Sequence, residues 1–400
     1  MQKIKNFVKK EVVLCVALLL AVISMGVVWP DAEYLSYIDF RTLIILFCLM
    51  CVMAGFRHIG MFRYIAEKML KRVHKPGSIV LLLVMLCFFF SMLITNDVAL
   101  ITFVPFTFEV GRMLGEKTYK KMVLPTVVFQ TIAANLGSML TPIGNPQNLY
   151  LYGISGMGLG EFMVIMLPYS VISFVLLLIC CVVFGRTLSG GSEEISKEKT
   201  VEGIEIRMDA QGKEKDGELR PGDRVGSLMI YLILFFMCIL TVAHLIPTVI
   251  TFSAVLLGIV ITEYKELAHV DYFLLLTFVA FFVFIGNMGR IPAFSNLLQR
   301  LITGNETMVA VIASQCISNV PAALLLSGFT KNVSALLIGT NLGGLGTLIA
   351  SMASLISYKY VASECETADI PGGKSRYFLQ FTVANICFLV ILVILFLFQR

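Results

Sequence analysis

The chain has 400 residues, of which 58% are hydrophobic and only 14% charged, and its mean hydropathy is +0.88. Soluble domains sit near half apolar and a quarter charged, so this composition excludes a soluble enzyme or nucleic-acid-binding domain and indicates a polytopic protein of the lipid bilayer. The net charge of +5 falls in the loops between apolar runs, where it reports topology rather than affinity for nucleic acid.

Lys3, Lys5, Lys9 and Lys10 hold the N-terminus on the cytoplasmic side of a cell membrane. The first span, Val12 to Trp29, lacks a small-residue cleavage pattern before Pro30 and Asp31 and reads as uncleaved. It leads to a loop without Lys or Arg. A second span, Arg41 to Phe56, returns to a basic segment holding Arg57, Arg63, Lys68, Lys71, Arg72 and Lys75, with the pattern of an interfacial helix. Ser78 to Phe108 is too long for one span and is interrupted by Thr95, Asn96 and Asp97. Because Arg112, Lys117, Lys120 and Lys121 follow, a re-entrant hairpin over about 78–110 keeps both basic flanks on one side. The next span, 123–152, holds Gly137, Pro142, Gly144 and Pro146, so its helix should break midway. Phe162 to Phe184 returns inside and closes a first membrane repeat, 1–185. Residues 186–225 are charged and poor in large apolar side chains, which predicts a flexible cytoplasmic linker.

The plan then repeats. A connecting helix over 226–247 crosses outward, Val249 to Ile261 returns, and Asp271 to Gly286 crosses again, starting with HVDYF, an echo of YIDF at Tyr37 to Phe40. A second hairpin occupies 308–330, a second broken helix 333–358, and a last span Phe378 to Phe398. The repeat 248–400 is turned over by the one extra helix, so the fold class predicted is all-α with two inverted-topology repeats, each carrying a re-entrant hairpin and a broken transmembrane helix. The N-terminus is then cytoplasmic and the C-terminus extracytoplasmic. Arg290, Arg300 and Lys331 fall outside on this count, against the charge rule.

Both halves carry the same polar phrases in segments apolar enough for lipid. Thr95-Asn96 matches Ser318-Asn319, Asn135-Leu136-Gly137 matches Asn341-Leu342-Gly343, and Thr141 matches Thr347. Duplicated, Gly-broken polar segments mark a substrate site of membrane repeats. Helix ends there offer N–H groups to anions and unwound carbonyls to cations. Thr95, Asn96, Ser318 and Asn319 are candidates at the hairpin tips. Asn135, Gly137, Thr141, Pro142, Gly144, Asn145 and Asn148 are candidates in the first break, and Asn341, Gly343, Thr347, Ser351 and Ser354 in the second. Asp97, matched by Val320, is an acid at membrane depth; it is assigned to a proton or sodium coupling site, with sodium near Asn96, Asp97 and Asn319. Helix capping by Asp97 and helix gluing by the polar set are the alternatives. The C-x-x-C at Cys48 and Cys51 lies in a spanning helix and reads as packing. No catalytic, nucleotide-binding or cofactor motif is present, which argues against an enzyme.

TNDVALITFVPF from Thr95, NLGSMLTPIGNPQN from Asn135, SNVPAALLLSGF from Ser318 and NLGGLGTLIAS from Asn341 together resemble the ion transporter superfamily. That group includes the arsenite-pump membrane subunit, related sodium/proton antiporters, citrate–metal carriers and divalent anion/sodium symporters. Dicarboxylate symporters carry Ser-Asn-Thr at each tip; here the third residue is Asp97 or Val320, and the Asn-Asp tip looks more like the arsenite-pump and antiporter branch. The resemblance implies scaffold and transport domains and often a homodimer, with a cytoplasmic ATPase partner only on the arsenite-pump side. The expected function is secondary active transport of a small inorganic or organic anion coupled to H⁺ or Na⁺. A Na⁺/H⁺ antiporter is the alternative, and a passive channel stands behind both.

Overall fold

A computed structural model describes residues 11–73, 75–189 and 225–399, and the regular elements among them are helices, without a strand. The first half runs α1 (Val12–Met25), α2 (Phe40–His58), α3 (Met61–Leu70), α4 (Pro76–Phe90), α5 (Asn96–Met113), α6 (Glu116–Ser138), α7 (Pro146–Ser155) and α8 (Leu159–Ser189). After α9 (Val225–Val242) the same order returns. It comprises α10 (Thr248–Glu263), α11 (Tyr272–Gly289), α12 (Pro292–Ile302), α13 (Glu306–Ile317), α14 (Asn319–Ser327), α15 (Val333–Leu342), α16 (Met352–Thr367) and α17 (Gly373–Gln399). The linker expected over 186–225 lies outside the described residues except for Arg186–Ser189, which are the last turn of α8, and Val225, which opens α9.

Among the described residues, α2, α8, α9, α10 with its following 3-10 turn, α11 and α17 are long and apolar enough to cross a membrane. α8 shows what their solvent is. Val164, Leu167, Val171, Val175, Leu178 and Val182 are exposed along one face, while Phe162, Met166, Tyr169, Leu177 and Cys181 are buried on the other. Such an apolar stripe would cost about 25 cal/mol per Å² in water; in hydrocarbon it costs nothing. The chain is a multi-pass membrane protein.

The YIDF/HVDYF echo has a structural counterpart. Asp39 Oδ1 accepts from the Thr42 N–H at 3.0 Å at the start of α2, and Asp271 Oδ1 accepts from the Leu274 N–H at 2.9 Å at the start of α11. Each acid satisfies an orphan donor of its helix. Arg290, which the sequence count puts outside against the charge rule, pairs with Asp31 at 2.7 Å and holds that loop carboxyl below the usual carboxylate range.

The described chain forms two compact units, and neither follows the halves of the sequence. One unit holds α4 and α5 packed against α6, with α16 against α5 and α6, and α17 against α6. The other holds α13 and α14 packed against α15, with α7 against α14 and α15, and α1 against α11. Each unit therefore combines a helix–turn–helix hairpin, the first half of the broken helix that follows it, and the second half of the other broken helix.

In the first of these units Glu364 of α16 is buried and accepts from Arg112 Nη2 at 2.6 and 2.7 Å and from the Tyr119 hydroxyl. The three side chains tie the end of α5 and the start of α6 to α16. Glu364→Ala removes the acceptor and strands the Tyr119 hydroxyl in a buried position, so it should cost about 2 kcal/mol. A drop in the thermal midpoint of the detergent-solubilised protein, smaller for Glu364→Gln, measures this.

Candidate functional site

The first hairpin turns over residues 91–95. Thr95 caps α5, accepting from the Val98 N–H at 3.5 Å, and Asn96 begins the helix. Four bonds fix Asn96. Its backbone N–H donates to the Gly144 carbonyl at 3.0 Å, Oδ1 accepts from the Asp97 N–H at 2.9 Å, and Nδ2 donates to Asn135 Oδ1 at 3.1 Å. Its own carbonyl serves the α5 ladder. Asn135 Oδ1 also accepts from Ser351 Oγ at 3.0 Å, and its Nδ2 donates to Ser354 Oγ at 3.4 Å. One buried cluster thus gathers Asn96 from the hairpin, Asn135 from α6, and Ser351 and Ser354 from the start of α16. Asp97 sits half-buried in the first turn of α5, where the helix dipole favours a negative charge.

The break after α6 explains its glycines and prolines. An added Cβ at Gly137 would stand 2.1 Å from the Phe88 carbonyl oxygen, and one at Gly144 would stand 2.1 Å from that of Ser138. Thr141 donates to the Met92 carbonyl, Asn145 Nδ2 donates to Ser138 Oγ at 3.2 Å, and buried Pro142 lies in the same non-helical stretch. The broken chain is thus sewn onto the hairpin turn.

The second unit repeats part of this, though Ser318 makes no side-chain cap bond where Thr95 does. Ser318 connects α13 to α14 at φ 75° and ψ 154°, a region nearly reserved for glycine, which costs about 1–3 kcal/mol. Asn319 Oδ1 accepts from the Val320 N–H at 3.0 Å, as Asn96 does from Asp97. Asn341 Nδ2 donates to Asn148 Oδ1 at 2.6 Å and to the Leu337 carbonyl at 2.8 Å. An added Cβ on Gly344 would lie 3.0 Å from Asn319 Nδ2, so the Asn319 amide rests on that glycine. Gly343 packs on Ser314 as Gly137 packs on Ser91 and Phe88. Asn135, Asn145 and Asn148 stand at the same mutual spacings as Asn341, Ser351 and Ser354. The Asn148–Asn341 bond in one unit is accordingly the counterpart of Ser354–Asn135 in the other. Thr347 departs from the pattern: it is exposed, whereas Thr141 is half-buried.

Sequence reasoning passed over Gln147. It lies in the first turn of α7, is 1% exposed, and neither atom of its amide has a hydrogen-bond partner among the described residues. Its match in the second copy is Ala353, so a search for duplicated residues skips it; a Gln between Pro146 and Asn148 in an apolar run was the available signal. Gln130, by contrast, donates to Thr107 Oγ1 at 2.8 Å and holds α6 to α5. Leaving two buried polar atoms unmet costs about 1–3 kcal/mol each. Gln147→Leu should therefore raise the thermal midpoint of the ligand-free protein and cut transport at least tenfold. Unchanged transport would make the Gln147 amide irrelevant to the cargo.

Paired helix breaks lined with buried amides, in a chain whose long helices face lipid, are the features of a membrane transport protein. The chain belongs to the citrate transporter family, whose model matches residues 4–334. An uncharacterized transporter of Methanocaldococcus jannaschii is 32% identical over 331 residues, 82% of each chain. Inner membrane protein YbiR of Escherichia coli is 30% identical over 336 residues, 83% of this chain and 81% of that one. The silicon efflux transporter LSI3 of Oryza sativa subsp. japonica is 29% identical over 191 residues, 46% of this chain and 37% of its own. The family and these relatives are transport or membrane proteins rather than enzymes.

Proposed function

We propose that this protein is a secondary active transporter that moves a small anion or oxyanion across the cytoplasmic membrane by alternating access, coupled to H⁺ or Na⁺. The observation that carries the reading is the occurrence of one buried asparagine cluster in each unit, built from corresponding elements. Helix packing alone needs no such correspondence. The arms α4, α13 and α14 have 15, 12 and 9 residues, short of the roughly 20 that cross a bilayer. This supports re-entrant hairpins, and the extra helix α9 between equal element orders supports inverted repeats with a cytoplasmic N-terminus. The family's description names citrate, a small carboxylate anion, and the rice relative's name gives silicon efflux. Among the candidate residues no Lys or Arg stands in either cluster, so helix N-termini and amides are what the solute meets.

Asp97 is assigned to coupling. A carboxylate beside the Asn96 turn suits sodium or a proton and would repel an anion unless neutralised. Proteoliposomes with imposed Na⁺ or H⁺ gradients, tested with citrate, silicate, arsenite and sulfate, decide the coupling. Asp97→Asn should abolish gradient-driven uptake while leaving solute exchange in place. Gradient-driven uptake by Asp97→Asn at the wild-type rate over a range of pH would remove Asp97 from the coupling site. Cation exchange without any co-transported solute would favour the Na⁺/H⁺ antiporter reading, for which the acid at the first hairpin tip, matched by Val320 at the second, is the supporting feature.

A further inference from the structure

A cavity of about 180 Å³ opens between α3 and the middle of α5, about one and a half to three and a half turns along α5 from Asn96. Its lining includes Arg57, Gly60, Arg63, Thr102, Phe106 and Glu109. The two arginines are in different states. Arg63 is committed, with Nε 2.9 Å from Glu67 and Nη2 3.0 Å from Glu109. Arg57, half-buried in the last turn of α2, has no carboxylate partner among the described residues. Glu67 and Glu109 together outweigh the Arg63 charge, so an anion here is held by Arg57 alone, whose guanidinium in a partly apolar cavity attracts it more strongly than it would in water.

Local backbone adds to this. Gly60 adopts φ 67°, which lets α3 begin with only two residues between it and the end of α2, so the first turn of α3 and the Arg57 side chain border the same space. The Thr102 hydroxyl donates its proton to the Val98 carbonyl at 2.8 Å, so it adds no donor for an anion and leaves Arg57 as the group that binds it. Lys68, Lys71, Arg72 and Lys75 follow in the same basic segment and raise the local concentration of anions.

We infer that this cavity is a second anion site, distinct from the asparagine clusters, in which Arg57 binds a phosphate group, either of free inorganic phosphate or of an anionic lipid headgroup. A space of this size holds a benzene-sized body, enough for one phosphate with a short substituent. Because the ligand would join α3 to the arm that starts at Asn96, occupancy would couple the basic membrane surface to the hairpin.

Binding is measured on the full-length protein in phosphatidylcholine nanodiscs, by calorimetry with inorganic phosphate and by thermal shift on adding phosphatidylglycerol. Wild type should respond to at least one probe, and Arg57→Gln should weaken that response at least tenfold, while Arg300→Gln on α12 leaves it intact. Response to phosphate identifies a soluble anion; response to phosphatidylglycerol alone identifies a headgroup. Thr102→Glu, which places a carboxylate opposite Arg57, should abolish binding and raise the thermal midpoint even if Arg57→Gln folds poorly. Equal responses of wild type, Arg57→Gln and Thr102→Glu, or no response to either probe, overturn the inference. None of these readouts depends on which solute the asparagine clusters carry.

Discussion

Gly137→Ala will leave little folded protein and no measurable transport, although it adds only one methyl group. The new Cβ would sit 2.1 Å from the Phe88 carbonyl oxygen and 2.9 Å from its carbon. Both atoms belong to the backbone of α4, which cannot rotate aside as a side chain would. Relief requires moving α6 away from the hairpin arm, and overpacking of this kind costs typically 1–3 kcal/mol and occasionally more. Here it is expected to reach about 3 kcal/mol, because the same shift also pulls Asn135, two residues earlier, away from Asn96. Gly343→Ala is the informative comparison. Its Cβ would meet Ser314 Oγ at 2.6 Å, Ser314 Cβ at 2.7 Å and the Gly339 carbonyl oxygen at 2.8 Å; only the hydroxyl can turn away, but each approach is longer than the 2.1 Å at Gly137, so the loss should be smaller. Gly160→Ala, with nothing within 4 Å of the added atom, should be silent. Size-exclusion profiles and thermal midpoints of the three variants rank them; a Gly137→Ala protein as stable as Gly160→Ala would show that α6 does not rely on this close approach.

The helix breaks were legible because their cause is local. Pro142, Pro146 and the glycines interrupt a helix whatever surrounds them, and the Thr95-Asn96 and Ser318-Asn319 pairs mark where the hairpins turn. Helix ends were less legible: α6 begins at Glu116 and α16 runs on to Thr367, since charged residues that reach water continue a helix readily. The first span is likewise shorter as a helix, Val12–Met25, than the apolar run to Trp29. What local pattern could not convey is the exchange of half-helices, with α16 packed beside α5 and α6, and α7 beside α14 and α15. That pairing rests on Ser351 meeting Asn135 and Asn148 meeting Asn341, contacts between residues far apart in sequence. Gln147 escaped for a related reason, because repetition was the guide and Gln147 is not repeated.

Asn135→Leu should lower transport by two orders of magnitude or more, a loss larger than that from removing either of its hydroxyl partners. One oxygen atom of Asn135 accepts from both Asn96 Nδ2, at 3.1 Å, and Ser351 Oγ, at 3.0 Å. Leucine has similar bulk, so the cavity term is small, but two buried donors lose their acceptor together. At about 1–3 kcal/mol for each stranded group the cost is about 4 kcal/mol. Since every 1.4 kcal/mol is a factor of ten, the arrangement that holds the start of α5 would become a minor population. Ser354→Ala removes only the 3.4 Å contact and should change uptake by less than threefold. Asn135→Asp separates position from hydrogen bonding, because a carboxylate keeps the acceptor for Asn96 and Ser351 while placing a second acid in the unit that holds Asp97. That variant should stay folded, bind the coupling cation more tightly and release it slowly, so uptake falls while the cation concentration giving half-maximal rate also falls. If instead Asn135→Leu transports like wild type at an unchanged thermal midpoint, the cluster is packing alone and the binding role assigned to the asparagines of both units is lost.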